Sequence, residues 1–163
     1  MREEARSREF ERALHKAFRF LSFRPRTKAE MRNYLGRCGF REDLIEEVIS
    51  DLEGRGYLND LEFARMWKEE RRRLNPRSSK LIAAELRRKG IDPEIALSAT
   101  SDLDDEEEAY RLISRKLHLG GDPDFRTFLA KASSLLRRRG FDWGVIREAA
   151  KRAWREMGER REG

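Results

Sequence analysis

The chain has 163 residues, of which 37 are Lys or Arg and 31 Asp or Glu, for a net charge of +6. Charged residues reach 42% and hydrophobic ones 38%, far more charged than an average domain at about 25%. The large apolar residues nevertheless recur at regular spacing, which disorder would lack. With only four prolines and eleven glycines as punctuation, a turn-rich β fold is excluded in favour of long helices. No apolar run approaches the ~18 residues of a membrane helix. Met1 to Phe10 lacks an apolar signal core, so a cytoplasmic location is expected. Cys38 is the single cysteine, which excludes an internal disulfide framework and fits a reducing compartment.

In chain order, Ala13, Leu14, Ala17, Phe18 and Leu21 form the i, i+3, i+4 stripe of a first amphipathic helix. Thr27 and Glu30 have the spacing of a capping box. They open a second helix with the stripe Met31, Tyr34, Leu35 and Cys38, ending at Gly39. A third follows with Leu44, Ile45, Val48, Ile49 and Leu52. Asp60 is a candidate N-cap for the fourth, striped by Phe63, Ala64 and Trp67. The fifth carries Leu81, Ile82 and Leu86 and ends at Gly90. Asp92-Pro93 reads as N-cap and first helical residue of the sixth, with Ile95, Ala96 and Ala99. Ala109, Leu112, Ile113 and Leu117 mark the seventh, and Gly120-Gly121-Asp122-Pro123 a longer connection. Phe128, Leu129, Ala132 and Leu136 mark the eighth, ending at Gly140. After Asp142, another candidate N-cap, come Val145, Ile146, Ala149, Ala150 and Ala153 of the ninth.

One pattern organises this series. A leucine, three residues, a glycine and a large apolar residue recur as Leu35–Gly39–Phe40, Leu86–Gly90–Ile91 and Leu136–Gly140–Phe141, with the glycines 51 and 50 residues apart. Pro25 and Pro76 also stand 51 residues apart. The fold expected is therefore all-α, with three tandem three-helix repeats over 9–58, 59–102 and a divergent 103–157. Residues 1–8 and 158–163 form flexible ends. Each repeat is too small to bury much surface alone, so neighbours pack together in an elongated arrangement with room to curve.

Charge alternates along these repeats. Net charge is +6 over 1–40, −4 over 41–58, +2 over 59–102, −3 over 103–122 and +5 over 123–163, so acidic and basic helices succeed one another. Chemistry-bearing motifs are scarce. There is no phosphate-binding glycine loop, no HExxH and no cysteine-based metal spacing, and no cofactor is expected. His15 and His118 lie far apart in sequence. Cys38 falls in an apolar stripe and reads as a small buried hydrophobe. The run Asp104-Asp105-Glu106-Glu107-Glu108 reads as acids complementing a helix dipole. Neither catalysis nor metal binding is expected.

Basic clusters are more informative. They are Arg71-Arg72-Arg73 with Arg77 and Lys80, then Arg87-Arg88-Lys89, then Arg137-Arg138-Arg139. Each triplet falls in the last turn of a predicted helix, where cations are favourable for structural reasons alone. The repeated placement also suits an anionic partner along one face. A helix-turn-helix reading of the last two helices in each repeat requires a cationic second helix. The first repeat instead supplies Glu42, Asp43, Glu46 and Glu47, and the second has no Lys or Arg there. Only the third, with Arg147, Lys151, Arg152 and Arg155, is suitably basic.

The run Gly56-Tyr57-Leu58-Asn59-Asp60, followed by Phe63-Ala64, Trp67, Arg71 and Glu85-Leu86-Arg87-Arg88-Lys89-Gly90-Ile91, resembles the bacterial RecX regulatory family. Arg26 to Met31 with Leu35 and Gly39-Phe40 is similar to that family's first repeat. Asn59, Lys68 and Asn75-Pro76 depart from its pattern. The resemblance covers roughly residues 11–157. It implies a non-enzymatic modulator, monomeric and cytoplasmic, built of three-helix repeats. Its partner would be the RecA recombinase filament on single- or double-stranded DNA, and it would inhibit RecA ATPase, recombination and strand exchange. Under that reading the eleven basic residues of the three clusters face filament or DNA. A general nucleic-acid-binding helical-repeat protein without a RecA role, or an adaptor for an unrelated protein, remains open from the residues alone.

Overall fold

The structure, a computed structural model, describes residues 1–117 and 124–162. His118 and the connection Gly120-Gly121-Asp122-Pro123 lie outside the described residues. The described residues form nine α-helices and no strand: α1 (Arg2–Leu21), α2 (Lys28–Arg37), α3 (Glu42–Gly54), α4 (Asp60–Leu74), α5 (Ser79–Arg88), α6 (Pro93–Thr100), α7 (Asp105–Lys116), α8 (Phe125–Arg137) and α9 (Trp143–Glu162). In chain order they make three successive triplets. Residues 2–8 and 158–162 are helical, with every side chain exposed.

Helix boundaries follow from capping chemistry. Thr27 Oγ1 accepts the Glu30 amide at 3.1 Å while Glu30 reaches back to the Thr27 amide, so both orphan donors are met. Asp92 accepts the Glu94 amide at 2.9 Å across Pro93, the first residue of α6. Asp104 caps α7 by accepting from Glu106 and Glu107. At α4 the expected cap is displaced by one residue. Asn59 accepts the Glu62 amide at 3.0 Å, leaving Asp60 free for another helix. Cys38 is exposed rather than buried: α2 stops at Arg37 and the residue that follows turns outward.

The chain folds as two compact units, residues 1–66 with 86–96 and residues 67–85 with 97–163. In the first, Ala13, Leu14 and Ala17 of α1 pack with Met31 and Leu35 of α2 and with Leu44, Val48, Ile49 and Leu52 of α3. In the second, Ala109, Leu112 and Ile113 of α7 meet Phe128 and Leu136 of α8 and Ile146, Ala149, Ala150 and Ala153 of α9. Small residues on α9 admit the α7 and α8 side chains closely. Trp154 packs half-buried against Phe128 at 5.4 Å between ring centroids. Each fully buried Leu or Ile is worth about 1.5–3 kcal/mol, so these two clusters hold the site-bearing helix ends in place.

Candidate interaction surface

The start of each second helix in the first two repeats is a joint, built the same way twice. In the first unit, Thr27 Oγ1 donates to the Lys89 carbonyl at 2.9 Å, and the Lys28 amide donates to Asp60 Oδ1 at 3.0 Å. Gly90 closes on Ala29. In the second unit, 51 residues on, Ser78 takes the place of Thr27. Its hydroxyl accepts the Leu81 amide at 3.1 Å, its own amide donates to the Arg139 carbonyl at 3.0 Å, and the Ser79 amide donates to Asp105 Oδ1 at 2.8 Å. Gly140 closes on Ser78 and Leu81. Orphan amides at a helix start are thus satisfied by groups of the following repeat.

This joint fixes what the basic triplets do. In the Arg87–Lys89 and Arg137–Arg139 triplets the third residue is turned inward. Lys89 is half-buried, pairs with Glu30 at 3.4 Å, and lies 5.9 Å from the Phe63 ring centroid. Arg139 is half-buried, with its carbonyl clasped by Ser78. The first two residues, Arg87-Arg88 and Arg137-Arg138, are exposed and make no ion pair among the described residues. Around Glu30, burial raises the carboxyl, but the Arg24 hydrogen bond and the charges of Arg24 and Lys89 outweigh it and hold the group below its usual range.

The Arg71–Lys80 cluster divides similarly. Arg71 Nε donates to Glu85 at 3.1 Å and its guanidinium lies 4.2 Å from the Trp67 ring centroid. Trp67 Nε1 donates to the same carboxylate at 2.8 Å, and Arg77 pairs with it from the far side. Burial, then the charges of Arg71 and Arg139, push the Arg77 guanidinium below its ordinary value. Arg72 donates to the buried Glu108 at 2.9 Å, a hydrogen bond that raises its own value. Arg73 and Lys80 are exposed. Within the second unit, then, the Arg137–Arg139 end of α8 is brought to the start of α5 beside Arg77 and Lys80. Arg87, Arg88 and Lys89 belong to the first unit.

Of the eleven basic residues, Arg71, Arg72, Arg77 and Lys89 hold the fold together, and Arg139 is clasped at its backbone. Arg73, Lys80, Arg137 and Arg138 of the second unit and Arg87 and Arg88 of the first are the exposed cations. Residue spacing did not reveal the carboxylates that decide this, Glu85, Glu108 and Asp105. The acidic run turns out to be divided among tasks: Asp104 caps α7, Asp105 caps α5, Glu107 pairs with Arg152, and Glu108 with Arg72 and Arg111. Helix-dipole complementarity alone did not foretell that. Among the described residues no group of three or more His, Cys, Asp and Glu is placed to hold a metal, and no helix is long and apolar enough to cross a membrane.

The sequence matches the family model of the first three-helix domain of RecX over residues 13–52 and of the second over residues 59–99. It is 35% identical over 152 residues to the regulatory protein RecX of Amycolatopsis mediterranei, covering 91% of this chain and 87% of that one. It is 33% identical to that of Streptomyces lividans, covering 86% and 77%. The crystal structure of RecX from Lactobacillus salivarius has the same fold, with a TM-score of 0.76 at 24% identity over 90% of this chain and 97% of that one. With two consecutive domains matched and full-length relatives above 30% identity, the chain belongs to the RecX family of regulatory proteins.

Proposed function

We propose that this chain binds the RecA filament on DNA and inhibits its ATPase and strand exchange, so modulating recombination and DNA repair. It acts by contact rather than catalysis, as a monomer, in the cytoplasm beside its target. The observation that carries this reading is the family match spanning most of the chain. The exposed pairs Arg87-Arg88 and Arg137-Arg138 support it. They close equivalent helices in successive repeats and have no structural partner among the described residues, which suits an anionic or nucleoprotein surface.

The test is the single-stranded-DNA-dependent ATPase of RecA from the same organism, titrated with this protein. Inhibition at substoichiometric amounts that survives excess free DNA is the expected result. Absence of inhibition, or inhibition abolished by free DNA, would overturn filament regulation and leave a plain nucleic-acid binder. Within a working assay, Arg87→Glu with Arg88→Glu should weaken inhibition about tenfold or more while circular dichroism stays unchanged. Lys89 is left intact because its partner is Glu30.

A further inference from the structure

The third helix of each repeat follows the same turn glycine, so the three can be compared position by position. Aligned on the turn glycines, Glu42, Glu46 and Ser50 of α3 correspond to Pro93, Leu97 and Ser101 at and just after α6, and to Trp143, Arg147 and Lys151 of α9. The face is acidic in the first repeat, where Glu46 is bound by Arg32 at 2.5 Å. In the second it is apolar, with Leu97 exposed. In the third it is aromatic and cationic. The fold accommodates all three, so packing does not demand tryptophan and arginine there.

Trp143 opens α9 with 47% of its surface exposed. Arg147, Lys151 and Arg155 follow at successive i+4 positions, about 6 Å apart along the axis. Arg147 and Arg155 are exposed and make no ion pair among the described residues. Lys151 has an exposed neighbour, Glu148, at 3.4 Å. Arg152, on the adjoining flank, is committed to Glu107, Glu156 and the Tyr110 ring. Between Arg137 and Arg155 the sequence holds two acids, Glu148 and Asp142, the latter just before the helix. Arg137 and Arg138 close α8 immediately upstream. A half-exposed indole followed by a cationic row combines a stacking platform with phosphate contacts, the pair of features that recognises unpaired bases on a charged backbone.

We propose that the Trp143–Arg147–Lys151–Arg155 face of α9 is a binding site for single-stranded nucleic acid, with Trp143 stacking on a base and the three cations following the phosphates. The site is independent of RecA, because its features belong to this chain alone and its test contains no RecA.

The experiment measures fluorescence anisotropy of labelled oligothymidylate titrated with the full-length protein, with a labelled duplex of equal length alongside. Trp143→Ala should weaken single-strand binding about tenfold, since stacking on one base is worth that order. Trp143→Phe should restore most of it. Arg147→Glu with Arg155→Glu should weaken binding further and flatten its dependence on salt. Circular dichroism checks that each variant keeps its helices, as expected for exposed positions. Unchanged single-strand affinity in a helical Trp143→Ala protein would overturn the proposal. So would duplex binding that equals the single strand and is indifferent to Trp143.

Discussion

Gly39, Gly90 and Gly140 end the same helix in successive repeats with nearly the same backbone, at φ of 88°, 83° and 82°. The space beside them is not the same. A Cβ on Gly39 would meet nothing within 4 Å. On Gly90 it would overlap the Ala29 Cβ, and on Gly140 it would stand 2.7 Å from Ser78 Oγ and 2.8 Å from the Leu81 Cβ. One local pattern therefore serves two purposes. At all three positions it ends a helix in the left-handed region, which glycine reaches without strain. At the latter two it also lets that end close on the preceding repeat. What recurs in the sequence is a turn, and what stands opposite makes it a joint.

Substitution by alanine separates the two purposes. Gly39→Ala should cost only the left-handed backbone term, about 1–2 kcal/mol. Gly90→Ala and Gly140→Ala add the overlap with the facing repeat, a further ~1–3 kcal/mol. Urea unfolding followed by circular dichroism should rank the first variant well above the other two in stability. Equal losses at all three positions would dissolve the distinction between turn and joint.

A second contrast lies at the base of α2 and α5. Offset by 51 residues, Phe20, Arg26 and Tyr34 become Arg71, Arg77 and Glu85. In the first repeat Phe20 stacks on Tyr34 at 4.0 Å and Arg26 lies 3.7 Å from the Phe20 ring centroid. In the second, two arginines and an indole N–H converge on one carboxylate that is 11% exposed. The same location is fastened once by dispersion and once by charge. Glu85→Gln leaves two half-buried guanidinium groups short of a counter-charge and should cost about 1–3 kcal/mol. Tyr34→Leu forfeits a ring stack and should cost about 1 kcal/mol. A Tyr34→Leu loss larger than that of Glu85→Gln would reverse the ranking.

Much of this was legible beforehand. Helix-period apolar stripes announce nine helices, because an amphipathic surface helix leaves a strong 3.6-residue signal. The Leu-Gly-apolar pattern announces their grouping. Thr27 and Asp92 were readable as caps because N-capping is local. Asp60 is the exception, since it caps α2 rather than its own helix. That contact spans 32 residues, and nothing in the local sequence marks it. The basic triplets illustrate the same limit. Their composition gives six exposed cations and five engaged ones no distinguishing mark. The difference lies in whether a carboxylate, a hydroxyl or a backbone amide from elsewhere in the chain reaches them. Trp143 was equally opaque, because a tryptophan at a helix start is exposed or buried according to what packs over that turn.

Lys68 gives the smallest of these effects, and its sign is set by linkage. The residue is 6% exposed, and Asp102 accepts from its Nζ at 2.8 and 2.9 Å. That hydrogen bond, with the Lys68 charge, holds the Asp102 carboxyl below its usual value. As pH falls the unfolded chain therefore takes up its proton first. The contribution of the pair is complete above the unfolded value near about 3.9 and disappears as pH drops through the folded one. Asp102 itself is 67% exposed, so solvent screening keeps the effect below about 1 kcal/mol. Asp102→Asn should be less stable than the parent at pH 7, and the gap between their urea midpoints should close as pH falls through the lowered value of the folded carboxyl. Lys68→Met removes the charge that Asp102 neutralises and fills the same space, so at pH 7 it should be close to neutral. A gap that persists in acid would show that Asp102 acts through its hydrogen-bonding shape rather than its charge.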